Sequence, residues 1–207
     1  MEFFELETFI KTIGLLGVIG VIFAETGLLI GFFLPGDSLL FTAGFLASRD
    51  FLNFPGLLIG SFIAAVVGDS VGYAFGKRVG PAIFRKEESF FFSKENINRA
   101  RVFYERHGGK TIILARFMPV VRTFAPILAG VGRMSYTHFL AYNIVGGLFW
   151  TVGLTTLGYF LGSILPDPDK YILPIIGLII ILSILPAVIH ALRDRTVRQK
   201  IRSFFHK

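Results

Sequence analysis

The sequence predicts an all-α membrane protein: an inverted repeat with two opposed re-entrant helical hairpins, about three spanning helices and an amphipathic surface helix. Three observations support this prediction: the composition, two apolar segments interrupted by prolines and charges, and the distribution of basic residues. The 207 residues are 53% hydrophobic and only 17% charged, with a mean hydropathy of +0.67, whereas soluble domains carry about 25% charged residues. The apolar residues form long runs, and roughly 20 of them can cross a bilayer as a helix.

Three apolar segments are the candidate spanning helices: residues 55–76, 139–165 and 171–192. The first contains Asp69, and the second contains Trp150, the only tryptophan of the chain. Because Trp150 lies in the middle of its segment and not at a membrane interface, we expect it to pack inside the protein.

The first interrupted segment carries acidic residues. Residues 12–34 are apolar except for Glu25, and Pro35-Gly36-Asp37-Ser38 then breaks the run. The next apolar run, residues 39–47, is too short to cross a bilayer comfortably. We therefore predict a re-entrant hairpin, called the acidic hairpin, whose break lies at Pro35 and Gly36.

The second interrupted segment carries basic residues. Residues 111–132 are apolar but include Arg116, Pro119, Arg122 and Pro126, and a proline interrupts helical hydrogen bonding. We predict a second re-entrant hairpin, the arginine hairpin, with breaks at both prolines and its turn near Pro119-Val120-Val121. Such non-helical backbone is tolerated inside a membrane only where it is buried in protein or lines a wet cavity.

The basic residues constrain the topology. Residues 77–110 contain nine Lys and Arg against four Glu, and residues 193–207 contain six against one Asp. Basic residues collect on the cytoplasmic side, so both segments are predicted to be cytoplasmic, with an even number of crossings between them. Residues 139–165 and 171–192 supply two crossings, so 111–132 must enter and leave on one side. Residues 77–110 should include an amphipathic helix on the membrane surface.

The two halves of the chain share their order of elements. With an offset of 86 residues, Ala43-Gly44 aligns with Ala129-Gly130, and Gly72-Tyr73 aligns with Gly158-Tyr159. This order predicts the inverted repeat of a transporter, with chance similarity between Gly-rich apolar segments as the alternative. The predicted parts are a first repeat (1–76), a cytoplasmic amphipathic linker (77–110), a second repeat (111–165), a last spanning helix (166–192) and a basic cytoplasmic tail (193–207).

The residue types that are scarce or missing exclude some chemistry. The chain has no cysteine, which excludes thiol catalysis, disulfides and cysteine metal sites. Its four histidines form no HxxxH or HExxH pair, so we expect no metal and no other cofactor. The net charge of +7 follows from the cytoplasmic basic segments, and we expect no nucleic-acid partner.

Four charged residues inside the hairpins are the candidate functional residues: Glu25 and Asp37, then Arg116 and Arg122. Each charge costs about 2.5–3.5 kcal/mol at the centre of a membrane helix. One interpretation is that they form ion pairs that hold the hairpins together, and Asp37 has helix capping as a further alternative. The other interpretation assigns phosphate binding to the arginines, because a guanidinium group donates two hydrogen bonds to phosphate. A break at Pro119 would let both guanidinium groups converge on one anion.

The acidic residues suggest ion coupling in this second interpretation. Glu25 and Asp37 would carry H⁺, or bind Na⁺ together with freed backbone carbonyls. Asp69 is a secondary candidate, with a polar packing contact as the alternative.

Four stretches of the chain resemble the DedA family, also called SNARE-associated or VTT-domain proteins. They are FAETGLLIGFFLPGDSLLFTAGFLA (23–47), GDSVGYAFGKRVG (68–80), ARFMPVVRTFAPILAG (115–130) and NIVGGLFW (143–150). The resemblance implies two opposed re-entrant hairpins, a link to the proton motive force and the cell envelope, and lipid translocation. Bacterial members are linked to recycling of undecaprenyl phosphate, and eukaryotic relatives scramble phospholipids. The resemblance places the essential residues of the family at Glu25, Asp37, Arg116 and Arg122.

We therefore expect an ion-coupled flippase for a polyprenyl phosphate such as undecaprenyl phosphate, in the inner membrane with a cytoplasmic C-terminus. A phospholipid scramblase and a non-transporting lipid-binding factor in membrane homeostasis are the alternatives. We do not expect an enzyme, because a lipid phosphatase needs a nucleophile and a general acid or base near the arginines. The arginine hairpin offers only Thr111 and Thr123, and His138 lies beyond it without an obvious partner. The expected partner is an anionic lipid, and the sequence is compatible with a homo-oligomer.

Overall fold

The computed structural model describes residues 3–28, 35–83 and 108–164, and this part of the chain forms six helices without a strand. The helices are α1 (Phe3–Gly27), α2 (Gly36–Ala47), α3 (Phe54–Ile83), α4 (Lys110–Ala115), α5 (Pro119–Val131) and α6 (Tyr136–Ile164). The predicted helical class is confirmed for these residues. The predicted last spanning helix, the basic tail and most of the 77–110 linker lie outside them. The first residues of that linker continue α3 as far as Ile83 and do not start a new element.

Three of the described helices are long and apolar enough to cross a membrane: Leu6–Gly27, Phe54–Val79 and Tyr136–Ile164. The second and third agree with the predicted spans. The first was expected only as an arm of the acidic hairpin. It is broken at Gly14, where φ is 63° and ψ is −167°, a conformation that glycine adopts without steric cost. Residues 15–27 therefore form a straight arm about as long as α2.

The centre of the molecule is an antiparallel pair, α3 and α6. Near one end, the rings of Phe54 and Tyr159 lie 4.1 Å apart. Near the other end, Tyr73 stacks on Phe139 with the ring centroids 4.7 Å apart. The start of α3 thus lies beside the end of α6, and the two hairpins pack around this pair.

The arginine hairpin consists of α4 and α5, and both of its outer ends lie near the start of α6. Gly109, just before α4, packs against the ring of Tyr142. Beyond α5, the carbonyl of Met134 accepts a 2.5 Å hydrogen bond from the Tyr73 hydroxyl. The chain therefore enters the helix bundle at one end, turns inside it and returns to the same end.

The turn of this hairpin lies at residues 116–118, slightly before the predicted position at 119–121. Met118 is extended, with φ −118° and ψ 105°, because a following proline disfavours the helical conformation. Pro119 then begins α5, where its missing N–H costs nothing. Pro126 does not break the hairpin as predicted, since α5 continues through it to Val131 with the loss of one backbone donor.

The acidic hairpin consists of α1 and α2 and enters from the opposite end. Its inner ends meet where Glu25 packs against Gly36. Its outer ends lie near the end of α6, since the Lys11 ammonium lies 4.2 Å from the Phe51 ring and Gly162 packs against Phe45. The inner ends of the two hairpins therefore face each other within the bundle.

Each hairpin packs its second helix on a long helix of the other half, through glycines. A Cβ added at Gly44 in α2 would overlap the Thr155 carbonyl oxygen of α6, and one at Gly130 in α5 would overlap the Tyr73 carbonyl oxygen of α3. Close backbone approach of this kind is why small residues mark membrane helix interfaces.

Two glycines of the long helices make contacts of the same kind with the hairpins. A Cβ at Gly158 would overlap the Phe41 carbonyl oxygen, and one at Gly76 would overlap that of Ile127. Phe41 and Ile127 are 86 residues apart, as predicted. Gly158 nevertheless corresponds in packing to Gly76 and not to Gly72, a shift of one helical turn.

Candidate functional site

The inner ends of the two hairpins are joined by ion pairs centred on Arg122. Its Nη2 donates to Glu25 Oε1 in the last turn of α1, and its Nη1 donates to Asp37 Oδ1 in the first turn of α2. The side chains of Arg122 and Glu25 are only 8% and 1% exposed, so this is a buried arrangement. One guanidinium thus bridges two carboxylates from two helices, using a separate nitrogen for each.

Arg116 occupies a second buried pocket between the long helices. Its Nη2 lies 2.5 Å from Asp69 Oδ2, and it also donates to the Asn143 side-chain oxygen. The Asn143 amide donates in turn to the Val66 carbonyl oxygen at 3.0 Å, which fixes the orientation of that amide. Gly146 makes room for Arg116, because a Cβ there would come within 3.0 Å of the arginine Cδ.

The two arginines have separate carboxylate partners in the structure, and their convergence on one shared anion stays a prediction. The break between α4 and α5 separates them, and each guanidinium has its own carboxylate partners. The capping alternative for Asp37 is also wrong, since no side chain caps α2, and Asp37 Oδ1 accepts from Arg122 instead. Asp69, the secondary candidate, lies inside the site as the partner of Arg116.

Trp150 links the two arginine pockets, a role that the sequence did not reveal. Its Nε1 donates a 2.8 Å hydrogen bond to Asp37 Oδ1. The Cζ atoms of Arg122 and Arg116 lie 4.7 Å and 5.9 Å from the centre of its ring, within the range of cation–π attraction. A single mid-span tryptophan was the available signal, because a buried indole N–H needs an acceptor.

The site has more acidic than basic groups. Among the described residues, two guanidinium groups face three carboxylates, so these five groups carry one excess negative charge when all are ionised. Two buried polar atoms, Glu25 Oε2 and Arg116 Nε, have no hydrogen-bond partner among the described residues. Within the same residues, no group of three or more His, Asp or Glu side chains could hold a metal ion.

Comparison with known proteins identifies relatives of the chain. The VTT domain matches residues 34–160. Protein DedA of Escherichia coli (strain K12) is 49% identical over 177 residues, which cover 84% of this chain and 80% of that protein. An uncharacterized membrane protein of Mycobacterium tuberculosis is 45% identical over 188 residues, 88% of this chain and 81% of that protein. The inner membrane protein YqjA of E. coli (strain K12) is 34% identical over 143 residues, covering 69% and 65%. No solved structure matches the chain.

The VTT-domain match spans most of the chain that forms the charged site. The VTT domain includes Asp37, Asp69, Arg116, Arg122 and Trp150. Three described helices are long and apolar enough to cross a membrane, as expected of relatives named as membrane proteins. The resemblance inferred from the four sequence stretches is thereby confirmed, and the chain belongs to the DedA family of VTT-domain membrane proteins.

Proposed function

We propose that the chain is a lipid translocase that moves a polyprenyl phosphate, such as undecaprenyl phosphate, across the inner membrane and couples this movement to H⁺ or Na⁺. The observation that carries this proposal is the meeting of the two hairpin ends. There, two buried guanidinium groups are held by carboxylates between opposed helical elements. Buried ionisable groups inside a membrane are costly and typically mark a transport pathway.

Carboxylate is a close chemical substitute for phosphate at such a site. Both anions accept paired hydrogen bonds from the planar guanidinium fork, which stays charged even when it is buried. Arg122 already donates through two nitrogens to two separate oxygens. A phosphate group that displaces Glu25 or Asp37 would find the same donors in place.

In this proposal, the excess negative charge of the site couples lipid binding to cation uptake. A phosphate that enters a site with an excess negative charge would add to that charge in a medium of low dielectric, at high cost. Uptake of H⁺ or Na⁺ by the carboxylates removes this cost and releases a guanidinium for the lipid. Glu25 Oε2, which is buried and has no hydrogen-bond partner among the described residues, is the proposed acceptor of the cation. Lipid binding and cation uptake are then linked.

The fold offers a route for alternating access. We propose that both hairpins are re-entrant and that the halves form an inverted repeat, with both basic segments and the C-terminus cytoplasmic. The reciprocal glycine packing of α2 on α6 and of α5 on α3 supports this symmetry. Rocking of one hairpin against the other would expose the arginines to one side at a time.

Transport explains the site better than hydrolysis of a lipid phosphate. A phosphatase needs a general acid or base that is free to act near the arginines. His138 instead pairs with Ser135 at 2.6 Å on an exposed surface, and the carboxyl groups near the arginines are held in ion pairs with them. The groups that surround the guanidiniums are carboxylates, an amide and an indole. We therefore propose that the chain is not an enzyme.

Reconstitution in liposomes tests the proposed function. A fluorescent polyprenyl phosphate is placed in both leaflets, and a membrane-impermeant quencher reports the outer-leaflet fraction with time. We expect flipping that depends on an imposed H⁺ or Na⁺ gradient and that Arg122→Ala abolishes. Fast movement of phosphatidylglycerol in the same vesicles would indicate a scramblase instead. No movement of either lipid would contradict translocation.

A further inference from the structure

A cavity of about 220 Å³ connects the charged site to the outer surface of the helix bundle. Its inner wall is formed by Asp37, Arg116 and Trp150, and its outer rim includes Phe117, Phe149 and Leu157. The rim side chains are apolar and about half exposed or more. Phe149 and Leu157 lie on α6, which is long and apolar enough to cross a membrane, and Phe117 lies in the turn of the arginine hairpin. In the membrane, the cavity therefore opens sideways toward lipid.

The opening is created by a missing side chain. Phe149, Gly153 and Leu157 are spaced four residues apart and are exposed on one face of α6, and Gly153 also lines the cavity. A Cβ added at Gly153 would meet no atom of residues 3–28, 35–83 or 108–164 within 4 Å. This glycine is unlike those at the helix contacts, where a Cβ would collide with backbone, so packing does not require it. Its absent side chain leaves a notch between two large apolar residues.

We infer that this notch is a lateral portal: the phosphate end of a lipid occupies the cavity beside Arg116, and its hydrocarbon chain leaves between Phe117 and Phe149 into the membrane. Arg116 supplies the donor for the head group, because it is only 3% exposed and its Nε–H lacks an acceptor among the described residues. Asp37 lies in the same wall, so the phosphate enters when the coupled cation neutralises the carboxylates. The apolar rim suits the chain. The inference rests on the proposed function, since it assumes the same lipid phosphate.

The size of the cavity limits what it can hold. Pockets that enclose a whole drug-sized ligand measure about 300–1,000 Å³, so 220 Å³ admits a phosphate group and the first carbons attached to it. A long chain must remain outside. A sugar or other large group on the phosphate would not fit. The portal therefore favours a lipid whose phosphate is joined directly to a single hydrocarbon chain.

Trp150 provides a direct readout, because it is the only tryptophan of the chain and lies in the cavity wall at 2% exposure. A polyprenyl phosphate with a nitroxide near its phosphate should quench Trp150 fluorescence in detergent micelles or nanodiscs. The same nitroxide on the corresponding polyprenol or on phosphatidylglycerol should quench it weakly. Equal quenching by the alcohol would overturn the phosphate site, and absence of quenching by the phosphate would overturn the portal.

Blocking the notch separates the portal from the rest of the protein. Gly153→Phe should lower the affinity for the lipid phosphate, measured by titrating the quenching, by about tenfold or more, because the added ring overfills the site. Gly20→Phe is the matched control, because Gly20 is an exposed glycine of α1 with open space around it and does not line the cavity.

A block introduced after folding avoids any effect of the substitution on assembly. The chain has no native cysteine, so Gly153→Cys can be labelled with a bulky maleimide in the reconstituted protein, with Gly20→Cys as control. Labelling at 153 alone should stop both lipid quenching and flipping. Unchanged flipping by the labelled Gly153→Cys protein would overturn the portal while leaving translocation intact. Quenching that follows this pattern without any flipping would leave the portal standing and contradict translocation.

Discussion

Trp150 donates its indole N–H to Asp37 Oδ1 at 2.8 Å, the same oxygen that accepts from Arg122 Nη1. The indole ring also lies 4.7 Å from the Arg122 Cζ atom. One side chain of α6 thus holds both members of an ion pair that joins the two hairpins. This contact makes the geometry of the charged site depend on a helix that contributes no charge to it.

Removal of the indole N–H should therefore weaken the site without removing a charge. Trp150→Phe keeps an aromatic face for Arg122 but leaves Asp37 with one donor fewer. We expect a loss of about 1.5–3 kcal/mol in stability, the range for hydrogen bonds to charged groups, together with slower flipping. Thermal unfolding in detergent and the liposome assay measure the two effects. A Trp150→Phe protein that matches the wild type in both would contradict this positioning role.

The arginines should not be replaceable by lysine. Arg122 reaches two carboxylates with separate nitrogens, whereas a lysine ammonium is a compact point charge that cannot reproduce this planar fork. We expect Arg116→Lys and Arg122→Lys each to weaken lipid-phosphate binding by about tenfold or more, as a loss of 1.4 kcal/mol or more would produce. Titration of the purified variants with the nitroxide-labelled lipid gives the affinities. Wild-type affinity in both would argue against phosphate binding by these residues.

A charge swap distinguishes phosphate binding from a purely structural ion pair. The structure pairs Glu25 with Arg122, so the informative double variant is Glu25→Arg with Arg122→Glu. If the pair only holds the hairpins together, the swap should restore stability and flipping to near the level of the wild type. We expect stability to recover relative to either single variant, and flipping to remain absent.

The acidic residues should control coupling more than binding. Glu25→Gln removes the excess negative charge of the site, while its amide oxygen can still accept from Arg122. We therefore expect lipid phosphate to bind at least as tightly as in the wild type, but flipping to lose its dependence on the ion gradient and to slow. Asp37→Asn should behave similarly but should also lose some stability, because its amide oxygen must accept hydrogen bonds from both Arg122 and Trp150. Flipping that keeps the normal gradient dependence in both variants would rule out coupling through these residues.

The arginine hairpin should be accessible from one side of the membrane at both ends. Lys110 and Arg133 are exposed and flank the hairpin, whose ends both lie near the start of α6. In the cysteine-free chain, single cysteines at these two positions should react with an impermeant maleimide from the same side, the side on which basic residues collect. Reaction from opposite sides would mean that residues 111–132 cross the membrane, and the inverted repeat would then be wrong.

The sequence predicted the helical class and the charged residues because each depends on local patterns. Apolar runs locate α3 and α6, and prolines locate both hairpin breaks. The pairing of Arg122 with Glu25 and of Arg116 with Asp69 could not be predicted, since it depends on how four helices rotate and slide against one another. Asn143 and Trp150 were missed for the same reason, because an amide or an indole acquires its role only from the helix that faces it.

The glycine contacts themselves give the last prediction. Gly44 and Gly130 occupy corresponding positions in the two hairpins, and a Cβ at either would overlap a backbone carbonyl oxygen of the facing long helix. Backbone cannot move aside as a flexible side chain does, so Gly44→Ala and Gly130→Ala should each destabilise the protein by about 1–3 kcal/mol, the usual cost of overpacking. The two losses of stability should be similar if both hairpins pack on their long helices in the same way.

Gly153→Ala is the internal control for that comparison. Its added methyl group meets open space, and alanine favours a helix over glycine by roughly 0.5–1 kcal/mol, so this variant should be as stable as the wild type or slightly more so. Thermal unfolding of the three alanine variants in one detergent measures these differences in stability. Equal destabilisation at all three positions would mean that any side chain on these helices is harmful, and the reciprocal packing of hairpins on long helices would lose its support. A neutral Gly44→Ala with a destabilising Gly130→Ala would instead show that the two halves pack differently.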